Sequence, residues 1–230
     1  MQPRTLAVVI TLLPLLTMNI AYLMSANAGL VPWCIPYLDG CTTISQAGRS
    51  GNTIFLFRAA MIIHGVLLIW FWTYALHWLN LITIRPTIST IIMYWLGITG
   101  ALFLILYVDF LGTEGEFQRF MRRYGIVVYF TFTPLAQLFK LNLLYKMKAV
   151  LPTLPIDHRV LHYQLTVILM MLLMGITSLV LSYTGNKSYE SENIIEWNFS
   201  LLLIMYFAGT IFLWKNARIH LSDSLLEKNN

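Results

Sequence analysis

Charged side chains are scarce in this sequence. Asp, Glu, Lys and Arg make up 11% of its 230 residues, where soluble domains carry roughly 25%. A water-facing surface cannot be assembled from so few. A conventional soluble enzyme, a disordered chain, collagen and a coiled coil are excluded together. Catalytic signatures are missing too: the chain holds no Walker, GxSxG, HExxH or zinc-knuckle pattern. It also lacks the row of mid-span carboxylates that an ion path would use, and the paired broken helices of a two-halved transporter. Cysteine occurs twice, as Cys34 and Cys41 in one short segment.

What is present is apolar. Residues of the AVILMFWYC set reach 58%, and mean hydropathy is +0.69. About 20 apolar residues cross a bilayer core as a helix. Six runs qualify, at 5–24, 53–79, 87–110, 124–145, 161–183 and 194–214. Backbone groups cannot stay unpaired in lipid, so these runs read as helices, and no short alternating segments suggest a barrel. The expected fold class is an all-α integral membrane protein. It is one domain over 1–230, a bundle of six transmembrane helices with both termini cytoplasmic. The first run, with Arg4 before it and Ala26-Asn27-Ala28 after it, resembles a signal peptide. Its apolar stretch exceeds the usual 7–15 residues of such segments, so a retained span is expected. Pro14 and Pro134 fall inside spans one and four, where they should bend the helix.

The net charge of +5 would hint at nucleic acid in a soluble chain. Here the basic residues stand mostly at the ends of apolar runs, where they anchor helices, and no nucleic-acid partner is expected. With the N-terminus inside, Arg4, Arg85, Lys140, Lys146, Lys148, Arg159, Lys215, Arg218 and Lys228 are cytoplasmic. Arg49, Arg58, Arg119, Arg122, Arg123 and Lys187 lie outside, a smaller set. Asp39, Asp109, Glu114, Glu116, Glu190, Glu192 and Glu196 also fall outside. Insertion explains the basic inner side; it does not explain the mixed charge of the outer one. That outer side is oxidising in most cells, and Cys34 and Cys41 are expected to form a disulfide there. Asn186-Lys187-Ser188 is a glycosylation-type triplet in another outer loop.

Ionisable groups within spans are costly and are read first as functional. Arg58 and His64 lie in span two, Asp109 ends span three, Arg122 and Arg123 open span four, and Glu196 opens span six. All approach the outer interface from different helices. A closed bundle would set them around one pocket at headgroup depth. Arg58, Arg122 and Arg123 would hold an anionic lipid headgroup, because a guanidinium matches phosphate oxygens bidentately. His64, Glu196 and Asp109 would move protons as the catalytic groups. The alternative is snorkelling arginines and a structural Arg–Glu pair. Arg58 and His64 are six positions apart, hence about 120° apart around the helix, and do not share a face.

His158 and His162 stand at i, i+4 beside Asp157, a spacing that can put two imidazoles on one metal. No further ligand is near, and no metal is assigned. His77 and His162 approach the inner leaflet from different spans, as in b-type haem proteins, but no cofactor is assigned. Gln137, Lys140, Gln164 and Asn198 read as isolated polar groups for interhelical hydrogen bonds.

Pro36-Tyr37-Leu38-Asp39-Gly40, Phe57-Arg58 with His64, the stretch from Glu114 to Phe130 with Tyr124-Gly125, and Ile195-Glu196-Trp197 with Gly209-Thr210 recur in pattern elsewhere. On these the chain resembles the DRAM-like, or Frag/Sfk, family of six-span proteins, which includes a factor for lipid remodelling of GPI anchors. Ile204 and Ala208 stand where that family often has Asn and His in the last helix, and Arg122 and Arg123 where it often has a His. The resemblance implies a lipid-facing role with membrane lipids as partners. The expected function is a multi-pass protein with an outer-leaflet pocket for a lipid headgroup, supporting lipid or lipid-anchor remodelling. The alternative is a non-enzymatic scaffold or accessory subunit with a membrane-protein partner, and a weaker third is a small-solute carrier.

Overall fold

A computed structural model describes residues 1–82, 87–152, 154 and 156–215. Arg85, Pro155, Arg218 and Lys228 lie outside the described residues. The described chain is helical without strands. Its elements are α1 (Pro3–Asn27), α2 (Pro36–Asp39), α3 (Ile44–Arg49), α4 (Thr53–Ile82), α5 (Ile88–Asp109), α6 (Glu116–Val150), α7 (His158–Tyr183) and α8 (Tyr189–Leu213). The six long helices are each long and apolar enough to cross a membrane.

All six apolar runs become helices, but their ends differ from the hydropathy reading. α6 begins at Glu116, eight residues before the expected span. Hydropathy reports the solvent and not the backbone, so a polar first turn is invisible to it. At its other end α6 runs on to Val150, and Lys148 donates to the carbonyls of Pro152 (2.7 Å) and Leu154 (2.6 Å) just beyond it. α5 starts in a capping box of Thr87 and Thr90, and α8 in one of Ser188 and Ser191.

The long helices pack as a closed ring in the order α1, α4, α5, α6, α7, α8 and back to α1. The α5–α6 seam is the most extensive and α6–α7 the sparsest of the six. Gly97 against Trp72 and Gly125 against Tyr107 let α5 approach its neighbours closely. α7 is peripheral: 17% of its apolar window is buried, against 39–50% for the others.

The ring differs between its two ends. At the end carrying Cys34 and Cys41, α2 and α3 fold over the mouth. Towards the opposite end, Phe71, Trp72, Tyr206, Phe207 and Trp214 fill the axis edge to face, with ring centroids 5.0–6.2 Å apart.

Candidate functional site

The loop between the first two spans is not a passive connector. Cys34 and Cys41 are disulfide-bonded, with Cα atoms 6.5 Å apart. Pro36 starts α2 at a position where its missing N–H costs nothing. Gly40 ends α2 at φ +61°, and a Cβ there would lie 2.2 Å from the carbonyl oxygen of Glu190. Glycine is therefore required twice over, by backbone and by space.

α8 holds this loop with three side chains. Asn193 donates to the Gly40 carbonyl (2.7 Å), Trp197 to that of Thr42 (2.8 Å) and Asn198 to that of Tyr37 (2.8 Å). On the α1 side the Tyr22 hydroxyl accepts from the Cys34 N–H and donates to its carbonyl, both at 2.7 Å. Asn19 donates to the Tyr37 hydroxyl (3.1 Å), whose pKa is raised by burial and partly drawn back by that bond.

Within this framework α3 lies across the mouth. The Thr43 hydroxyl accepts from Gln46 N–H (2.8 Å), which leaves the first amides of α3 to be satisfied from elsewhere. The Glu196 carboxylate supplies that need, accepting from Ile44 N–H (3.2 Å) and from the Ser45 amide. Glu196 therefore caps a helix belonging to another segment of chain, where its charge also suits the helix dipole. At the far end of α3, Ser25 donates to the Ala47 carbonyl (2.7 Å).

The other expected site residues do not converge on Glu196. Arg58 donates to the Leu111 carbonyl, and Arg122 donates to those of Phe110 (3.1 Å) and Thr113. These two guanidiniums, from α4 and α6, hold the α5–α6 turn in place. His64 lies deeper on α4, 1% exposed, with Nδ1 unpartnered. Asp109 and Arg123 are exposed. Among the described residues the ion pair within 4 Å is Lys187–Glu192 (2.5 Å), so Arg58 and Glu196 do not pair.

Two separate spaces result. The outer one is an open recess of about 640 Å³ between α3, the α5–α6 turn and α6. Arg49, Arg119 and Arg122 line it, with Glu114 as the one carboxylate. The guanidinium groups of Arg49 and Arg119 make no hydrogen bond or ion pair among the described residues. Phe117, Phe120 and Tyr124 are exposed beside them on α6, as aromatic residues are at membrane interfaces. The inner space is a small cavity of about 40 Å³ on the bundle axis beneath α3. Its walls are apolar except for Tyr107, Tyr129, Glu196 and Ser200. Tyr107 stands between the two spaces, hydrogen-bonded to the Ser45 side chain and within electrostatic reach of Glu196, Arg49 and Arg122.

Arg49 and Arg119 were not among the expected headgroup ligands. A signal for one of them existed: Arg119 and Arg122 are i, i+3 and share a helix face, while Arg123 turns about 100° away. Arg49 had no such signal, since α3 sits in a loop by hydropathy.

Near the opposite end, the four isolated polar residues of the sequence reading resolve differently. Asn198 serves the Cys34–Cys41 loop. Lys140, counted with the cytoplasmic segments, is instead fully buried in the bundle. Its ammonium donates to Thr210 Oγ1 (2.9 Å) and lies 5.0 Å from the Tyr206 ring centroid, 5.6 Å from that of Phe71 and 6.0 Å from that of Trp214. Gln164 donates to the Tyr206 carbonyl and to Thr210 Oγ1, both at 3.2 Å. Gln137 donates to the Leu203 carbonyl (3.2 Å), and Tyr206 returns a bond to the Gln137 carbonyl (2.8 Å). Lys140 thus ties α4, α6 and α8 together through an aromatic cage and one hydroxyl.

Among the described residues no three His, Cys, Asp or Glu side chains come together as a metal site. His158 and His162 stack at 6.5 Å, and His162 Nδ1 meets the Tyr145 hydroxyl at 3.3 Å. The chain matches no family model, no curated protein and no solved structure. Its own geometry therefore carries the functional reading.

Proposed function

We propose that this multi-pass membrane protein binds the anionic headgroup of a phospholipid in the arginine-lined recess at its disulfide end, in support of lipid or lipid-anchor remodelling. The supporting observation is the convergence of Arg49, Arg119 and Arg122 on one open recess with a single carboxylate, beside exposed aromatics. Arg122 is already engaged with backbone carbonyls, which leaves Arg49 and Arg119 to grip a phosphate. The proposed orientation puts both termini in the cytoplasm and the recess in the outer leaflet. The segregation of Lys and Arg and the oxidised Cys34–Cys41 pair support it. The remodelling part of the reading rests on the resemblance to the DRAM-like, Frag/Sfk family alone. Ile204, which lines the inner cavity, replaces a polar residue frequent in that family. Binding of the lipid, and not cleavage of it, is the role this recess supports.

The test uses the full chain in nanodiscs of phosphatidylcholine with a minor share of phosphatidic acid. Native mass spectrometry should show phosphatidic acid retained in preference to phosphatidylcholine. The Arg49→Gln/Arg119→Gln pair should reduce that preference at least tenfold, since hydrogen bonds to charged groups contribute about 1.5–3 kcal/mol each. Competition by inorganic phosphate would assign the recess to a free anion, and equal retention of both lipids by the unaltered protein would refute the proposal.

A further inference from the structure

The inner cavity poses a question that the arginine recess does not answer. Hydroxyls on the long helices are usually satisfied by the carbonyl four residues back. Thr11, Thr17, Thr73 and Thr177 all make that bond, at 2.7–2.9 Å. Ser200 does not. It is 6% exposed and its Oγ has no partner, although an unsatisfied buried polar group is costly. Ser200 lines the cavity one helical turn below Glu196, on the same face of α8.

The cavity adjoins the weakest seam of the ring. Between α6 and α7 runs an apolar groove of about 440 Å³, and Phe130 belongs to the walls of both groove and cavity. Phe130 meets Phe199 edge to face at 5.6 Å where the two spaces adjoin. Gly175 contributes no side chain to the groove, and a Cβ added there would touch nothing within 4 Å. The groove spans Ile168 to Leu179 on α7, a rise of about 16 Å at 1.5 Å per residue, which lies within the hydrocarbon core.

We infer that the α6–α7 groove and the axial cavity together form a second lipid site, for a single-chain amphiphile whose polar end is a hydroxyl or amine. The chain lies in the groove, and the polar end passes Phe130 to donate to Glu196 and to pair with Ser200 Oγ. Lining and size decide the headgroup class. No Lys or Arg lines the cavity and its free space is about 40 Å³, so a phosphate meets no cation and has no room, whereas a hydroxyl or amine fits and meets Glu196 and Ser200. Depth decides that the occupant of the groove comes from the bilayer. This site is independent of the arginine recess, which selects an anionic headgroup.

The experiment uses the full chain in phosphatidylcholine nanodiscs with a photoactivatable, clickable sphingoid base. A fatty acid methyl ester with the same photogroup has no donor and serves as the comparison. Saturable labelling by the base should map to peptides of 130–138 and 168–179. Ser200→Ala should weaken labelling by the base about five- to tenfold, the factor carried by one buried hydrogen bond, and leave the ester unchanged. Gly175→Leu, which adds a good helix former without a clash at Cβ, should weaken both probes. A thermal unfolding midpoint at or above that of the unaltered protein separates site filling from misfolding. The inference is overturned if Ser200→Ala affects both probes equally, or if the label maps to 112–122. It is also overturned if imaging in native nanodiscs shows a stoichiometric protein helix seated between α6 and α7.

Discussion

Glu196 separates a capping role from a proton-transfer role through two substitutions that chemistry would treat alike. In the structure its carboxylate accepts from the amides of Ile44 and Ser45, at the start of a helix that otherwise has only Thr43 as a cap. Glu196→Gln keeps an acceptor oxygen but exchanges charge-assisted bonds for neutral ones and loses the dipole interaction. That amounts to about 1–2 kcal/mol from the difference in bond strengths and a dipole contribution of about 0.3–1 kcal/mol. Glu196→Leu leaves two enclosed amides unsatisfied at about 1–3 kcal/mol each. For a chain of this size 1 kcal/mol moves the midpoint by about 2–4 °C. The glutamine variant should therefore unfold a few degrees early, and the leucine variant about 5–20 °C early. Intrinsic fluorescence in detergent, with Trp197 one residue away on α8, reports the transition. Amide exchange at Gln46 and Ala47 should accelerate in the same order, with distant helices unaffected. If Gln and Leu lower the midpoint equally, or neither lowers it, Glu196 does not cap α3.

Two further outcomes follow from the same contacts. Lys140→Met should leave the unfolding midpoint unchanged or raise it, because a buried ammonium without a carboxylate is replaced by an apolar chain of similar length; Lys140→Glu should lower it sharply, since the aromatic cage then faces an anion, and a lower midpoint for Met than for Glu would overturn the cage assignment. Reducing the Cys34–Cys41 bond, or replacing both cysteines by Ala, should destabilise the protein by about 2–3 kcal/mol by the loop-closure estimate for so short a ring. Thermal unfolding with and without reductant measures this, and an unchanged midpoint would show that Tyr22, Asn193 and Asn198 suffice to hold the loop.

Hydropathy recovers the six long helices because burial in hydrocarbon leaves helices as the only local solution to backbone pairing. It misses α2 and α3 because these helices are fixed by partners distant in sequence. Ile44 is bonded from Glu196 and Gly40 from Asn193. The charged residues at the disulfide end stand out in the sequence, yet spacing could not say which acceptors they reach. Arg58 and Arg122 find backbone carbonyls in the turn after α5, and those carbonyls carry no signal in a sequence. Lys140 shows the reverse case. Its place in an apolar run was legible, but its cage draws Phe71 from α4 and Trp214 from α8, pairings that only the closed ring creates.

The Lys140 network lies fourteen residues along α8 from Glu196 to Thr210, about 21 Å deeper at 1.5 Å per residue. Beside it the interlocking rings of Phe71, Trp72, Phe207 and Trp214 occupy the axis. Among the described residues these rings close the axis below the cavity, as a floor closes a cup. Any exchange of material between leaflets would first require that aromatic floor to come apart.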